Sequence, residues 1–239
     1  MFVNGGSPAT LARRPGPVDG ADLGALASRV RPTAASRTRL LPVAGPLVPL
    51  LPDGGLRRGS VVHCSGEGAL SLTLAVVGAA SAAGSWCGLV GVEDLGALAA
   101  AGYGVDLRRL VVVRAPGAQW AVAVGRLLEG VDVVAVEPPG RARPQAVRSL
   151  VARARRQGAV LVVVGPRSAW PDPADVHLVV GHPRWQGLDR GAGRLVGRRV
   201  RVETHGRGMA CRPVARELWL PTDSGRVAPC TDDRPAAGT

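Results

Sequence analysis

The chain has 239 residues, a formal net charge of +12, and 46% hydrophobic against 20% charged residues. That composition suits one α/β domain with a tail and excludes wholesale disorder. All 30 basic side chains are Arg and none is Lys, so a lysine phosphate clamp, Schiff base or general base is excluded.

Residues 1–55 read as a flexible arm, a short helix and a Pro-rich linker. The helix spans Asp19 to Val30, with Asp19 as its N-cap and Leu23, Leu26, Ala27 and Val30 on one face. The linker runs over 32–55. Regular alternation follows, and residues 56–220 read as the folded core. Strands are predicted at Ser60–Cys64, Trp86–Val92, Leu110–Val113, Val131–Val136 and Ala159–Val164. Helices are predicted at Leu70–Ala83, Leu95–Ala101, Ala118–Leu128 and Pro144–Gln157. Continuous Val and Leu runs alternating with helices imply a mostly parallel sheet covered on both faces. After residue 170 the pattern changes to antiparallel strands at Val176–Val180, Arg198–Glu203 and Met209–Pro213. Residues 221–239 read as a mobile tail.

Charge is unevenly distributed. Residues 1–60 carry net +5, residues 61–140 net −3 and residues 141–239 net +10. The basic C-terminal part suits contact with nucleic acid or an acidic partner. Cys64 and Cys87 lie in apolar runs and read as buried thiols. The four cysteines form no CxxC pair and suggest neither a metal site nor a disulfide framework. No signal peptide or membrane span is evident, so a soluble, cytoplasmic protein is expected.

The segment Val61–Leu74 reads as strand, Gly-rich loop and helix. In a working phosphate loop, G-x-x-x-x-G-K-[ST], backbone amides and the helix N-terminus receive phosphates, while Lys and a hydroxyl serve the terminal phosphate and Mg²⁺. With Gly68 at the second Gly, Ala69 takes the Lys position and Leu70 the hydroxyl position. His63 takes the first Gly position, Ser71 is one residue late, and Glu67 adds a negative charge. Gly66 and Gly68 keep the turn, but a methyl and an isobutyl group replace the ammonium and the metal ligand. An ordinary βα turn accounts for this segment equally well by itself.

The stretch from about Leu47 to Pro213 resembles the ATPase core of RecA. The resemblance rests on Gly55 to Gly59 leading into the first strand, the degenerate loop, and Gly91–Leu95 with Glu93 where the family has a catalytic Glu. It continues through Gly104–Leu107, Val131–Glu137 with Glu137 at the metal-site position, and Leu161–Pro166 with Gly165 and Pro166 replacing an Asn-Gln pair. Leu195–Glu203 is similar to the core's closing strands. The resemblance implies a RecA-like fold. The departures imply no cofactor, no metal, and only vestigial roles for Gly66, Gly68, Ala69, Leu70, Ser71, Glu93 and Glu137.

A RecA-like core of this size without a nucleotide site resembles the ImuA family of high-GC bacteria, in its shorter actinobacterial form. That resemblance implies a non-catalytic accessory protein of damage-induced mutagenesis and translesion DNA synthesis. Its implied partners are an ImuB-type inactive Y-family polymerase homologue, an error-prone C-family polymerase and RecA. Candidate surfaces for a partner or DNA are Arg141, Arg143, Arg148, Arg153, Arg155 and Arg156 on and before one helix, and Trp185, Arg198, Arg199 and Arg201 near the C-terminus. Leu23, Leu26 and Val30 form a candidate docking helix. Two alternatives stay open: a P-loop ATPase or recombinase with a divergent site, and a SulA-like cell-division inhibitor.

Overall fold

A computed structural model describes residues 39–189, 192–206 and 213–230. The core strands form because their residues can be buried on both sides. β4 (Cys87–Val90), β6 (Val133–Val136) and β7 (Val160–Val164) are buried at every position. Side chains alternate across such strands. In β7, Val160, Val162 and Val164 join one core, and Leu161 and Val163 join the other. In β3 (Val61–Gly66) the same split sends Val62 and Cys64 one way and Val61 the other.

Helices cover both faces. α1 (Ala69–Ala82) is apolar almost all round and packs with α2 (Ala97–Gly102) on the first face. A wholly apolar helix is stable only when enclosed. α3 (Trp120–Leu127) and α4 (Pro144–Gln157) pack together on the second face. α4 starts with Pro144 in its first turn and stops at Gly158, which takes the left-handed conformation at φ 68°. Its buried stripe is Val147, Leu150, Val151 and Ala154, as its spacing implies.

The remaining strands are β5 (Leu110–Val113), β8 (Val176–Asp189), β9 (Ala192–Gly206), β10 (Val214–Trp219) and β11 (Ala228–Pro229). The sheet order is β11-β10-β9-β8-β3-β7-β6-β4-β5. Pairing is parallel from β5 through to β8 and antiparallel from β8 to β11. This is the mostly parallel sheet with antiparallel C-terminal strands that the sequence implies.

Two expectations need correction. From residue 39 the Pro-rich stretch is packed structure. β1 (Leu40–Leu41) pairs with β2 (Leu56–Arg57), and a 3-10 helix spans Gly45–Leu50. Leu41, Leu47, Leu50 and Leu51 are buried, and Thr204 Oγ1 donates to the Leu50 carbonyl at 2.7 Å. The apolar spacing within the prolines outweighs their turn-forming tendency. Residues 221–230, expected as part of a mobile tail, are also packed structure, because β11 pairs with β10; the rest of that expected tail lies outside the described residues. A further antiparallel strand lies at Val214–Trp219, while the strand expected at Met209–Pro213 falls mostly on residues 207–212, which lie outside the described ones. The helix predicted at Asp19–Val30, with Leu23, Leu26 and Val30, also lies outside them. Among the described residues no helix is long and apolar enough to cross a membrane.

Candidate functional site

The C-terminal ends of the parallel strands carry the loop residues and the two carboxylates singled out above. β3 ends at Gly66 and α1 begins at Ala69. Gly66 and Gly68 sit at φ 95° and 106°, a region that other residues rarely adopt. A Cβ on Gly66 would also collide with the Val180 carbonyl. Gly68 caps α1 without a side-chain hydrogen bond, and the first turn holds no acid. The first amides of α1 therefore point off its end with no intrahelical partner. Ala69 is buried, Leu70 packs against the core and Ser71 is half-buried. Glu67 is exposed at the rim. These residues do not fit Mg²⁺-ATP: the loop offers neither a cation for the terminal phosphate nor a hydroxyl at the metal position.

Arg198 is the principal correction among the candidate surface residues. It is 9% exposed, whereas Arg199 and Arg201 face outward. The cause is strand alternation: Arg198 shares the inward face of β9 with Val200 and Val202, which join the core beside α1. Its Nε donates to the Leu220 carbonyl at 2.7 Å. Its guanidinium lies against Gly68, where a Cβ would sit 2.7 Å from Nη2. It also stands 5.3 Å from the centroid of the Trp185 ring. Trp185 itself is half-exposed. Arg199 pairs with Glu217 at 3.2 Å, and Arg201 with Glu203 at 2.8 Å.

Three carboxylates gather beyond the neighbouring strands. Glu93 and Asp94 follow β4, Glu137 follows β6, and the two strands pair in parallel. Burial raises the Glu137 carboxyl above the ordinary range, and the charges of Asp94 and Glu93 add to the effect. The fold thus brings Glu93 and Glu137 together. Among the described residues no cluster of three His, Cys, Asp or Glu is placed to hold a metal ion.

A row of histidines escaped the sequence reading. His63 on β3 pairs in register with His177 on β8, which pairs with His205 on β9. Ring centroids are 4.9 and 6.3 Å apart. His63 Nε2 donates to the Gly165 carbonyl at 3.0 Å, and His177 Nε2 bonds Ser65 Oγ at 2.7 Å. Desolvation lowers the pKa of His63 and takes that of His177 down to about 4, with His63, Arg167 and His205 adding to the latter. The row floors a cleft of about 560 Å³, rimmed by Arg141, Arg167 and Trp170. Only cross-strand register aligns these rings, and register is not written in local spacing.

The Arg-rich helix is divided by its neighbours. Arg153 reaches Glu129 at 3.2 Å, and Arg155 reaches Asp175 at 3.9 Å. Arg143, Arg148 and Arg156 are exposed, and Arg141 turns to the cleft. Cys64 and Cys87 are buried, and burial pushes both thiols up to about 12, far from reactive thiolates.

The sequence family described as the MT3502 N-terminal domain matches residues 49–172. That span is more than half of the chain and runs from the buried 3-10 turn through β7 to the cleft loop. This chain belongs to the MT3502 N-terminal domain family. It is also 36% identical over 170 residues to Rv3395c, an uncharacterized protein of Mycobacterium tuberculosis (strain ATCC 25618 / H37Rv). The alignment covers 69% of this chain and 81% of the relative. The family match contains the loop, Glu93, Glu137 and α4. Arg198, Trp185, His177 and His205 lie beyond it.

Proposed function

We propose that this chain is an ImuA-type accessory protein of damage-induced mutagenesis and translesion DNA synthesis. It acts in the cytoplasm through contacts and catalyses no reaction. Its principal partner is an ImuB-type inactive Y-family polymerase homologue, with RecA and an error-prone C-family polymerase as further partners. DNA contact belongs to the basic rim of the histidine cleft, where Arg141 and Arg167 stand.

The observation that carries this reading is the state of the loop. Ala69 is buried where a phosphate loop needs Lys, Leu70 packs where it needs a metal hydroxyl, and the Arg198 guanidinium occupies the space against Gly68. A RecA-like core so altered is suited to serve as a surface. Affinity purification of the full chain from DNA-damaged cells tests the reading. The ImuB-type homologue is expected to co-purify. Its absence, together with capture of the tubulin-like division protein and filamentation on overexpression, would favour the division-inhibitor alternative.

A further inference from the structure

The histidine row occupies one face of three neighbouring strands. His63 and Ser65 share the Val61 face of β3, and register carries that face to His177 on β8 and His205 on β9. The loop between β7 and β8 stands beside the row, and its Trp170, Pro171, Pro173 and Ala174 give the cleft an apolar wall. At about 560 Å³ the cleft has the size of a site for a small organic molecule.

Two cations stand over this floor without a counter-charge. Elsewhere the fold pairs its arginines: Arg58 with Asp132, Arg153 with Glu129, Arg199 with Glu217, Arg201 with Glu203. Arg141 and Arg167 are exposed, line the cleft and form no ion pair among the described residues. Asp172 is the one acid among the lining residues, and it pairs with neither arginine. His177 is faced by His63 and Ser65 from β3, by His205 from β9, and by Arg141, Arg167 and Asp172 from the loops. Glu203 lies 3.7 Å from His205 but is held by Arg201, and Asp175 accepts from the Val61 amide at 2.8 Å. Desolvation disfavours the His177 imidazolium, and the charges of His63, Arg167 and His205 add to the effect. A ligand carboxylate set among these groups reverses that balance, because a nearby negative charge favours the imidazolium. The Ser65 hydroxyl can donate to a neutral ring or accept from a charged one, so its 2.7 Å bond survives the change.

We propose that the histidine cleft binds a small organic polycarboxylate through Arg141 and Arg167, and that binding is coupled to uptake of one proton by His177. The apolar wall takes the carbon body of the ligand. Guanidinium–carboxylate pairs are strong, charge-assisted contacts. The proton comes from solvent and partly offsets the negative charge that enters. No residue of the loop after β3 takes part.

The test is calorimetric titration of the full chain with tartrate, a dicarboxylate that stays ionised between about pH 5.5 and 7.5, at constant ionic strength. Repeating it in buffers of different ionisation enthalpy counts the protons. Saturable binding with uptake of about half a proton or more near pH 6 is expected. Affinity should rise as pH falls, by up to about tenfold per unit for one proton. Arg167→Gln should weaken binding about tenfold. His177→Gln should remove the proton uptake and leave the remaining affinity independent of pH. Asp172→Asn should tighten binding about threefold, a gain that a purely structural role would not produce. If His177→Gln does not fold, Asp172→Asn and Arg141→Gln decide the matter, the second with an expected loss of about fivefold. No saturable binding, binding without proton uptake, an Arg167→Gln affinity equal to the wild type, or sulfate binding as well as tartrate would each overturn the assignment. A single-stranded oligonucleotide that binds the cleft more tightly than tartrate would also overturn it, while supporting the DNA contact proposed above.

Discussion

The two sides of the sheet solve different problems. From β5 to β3 the strands are short, parallel and enclosed by helices, and the alternation of Val and Leu fills a core on each face. From β8 outward the strands are antiparallel and outgrow the sheet. β8 pairs with β3 only over Val176–Val180 of its course to Asp189. Beyond that, β8 and β9 run on as a hairpin arm with register shifts near Gly181 and Gln186 and with His182 at φ 53°. Trp185, Leu195 and Val196 are about half-exposed along it. The parallel side supplies stability, and the antiparallel side supplies surface. Arg198 joins the two by reaching from the root of the arm to the loop after β3.

That contrast can be broken most severely on the parallel side. Asp132 is 4% exposed, accepts from Arg58 Nη2 at 2.8 Å and holds the Trp86 amide at 3.0 Å. Asp132→Ala is expected to cost about 3 kcal/mol in chemical denaturation, because it removes a buried carboxylate that accepts from both the Arg58 guanidinium and the Trp86 amide. Gly68→Ala tests the junction. A strained positive φ and a displaced guanidinium should together cost about 2 kcal/mol. Gly140→Ala, at φ 128° with nothing within 4 Å of the added carbon, should cost about half as much. The difference between the two measures the contact with Arg198.

The histidine row gives a pH test. His177 has a folded pKa of about 4 against an ordinary 6.5. The unfolded chain therefore binds the proton more readily across that window. The contribution of His177 is fully present above pH 6.5 and is lost as pH falls towards 4. Thermal midpoints should fall through this window, and His177→Gln should flatten the slope. The smallest effect is expected at Arg148. This exposed residue of α4 forms no ion pair among the described residues, so Arg148→Ala should shift stability by no more than about 0.5 kcal/mol.

Much of the parallel side was legible in the sequence, because its residues report their own surroundings. Val133–Val136 is apolar without interruption, as a doubly covered strand must be. The 147, 150, 151, 154 spacing of α4 names its buried face. The antiparallel side was less legible. Arg198, Arg199 and Arg201 look alike in a row, and only the phase of β9 sends the first inward. The histidine row needed three strands in register, which long-range pairing fixes. Residues 39–55 read as linker because Pro and Gly drew attention away from Leu41, Leu47 and Leu50, which are buried. The loop was read at the level of residue types, yet its occupant came from a strand 130 residues later in the chain, at position 198 against position 68.

The central claim is that the loop after β3 no longer performs ATPase chemistry. Calorimetric titration of the full chain with ATP, with and without Mg²⁺, tests it most directly, with released phosphate assayed alongside. The expected result is no Mg²⁺-dependent binding and no turnover. Micromolar affinity that requires Mg²⁺, accompanied by hydrolysis, would contradict the account.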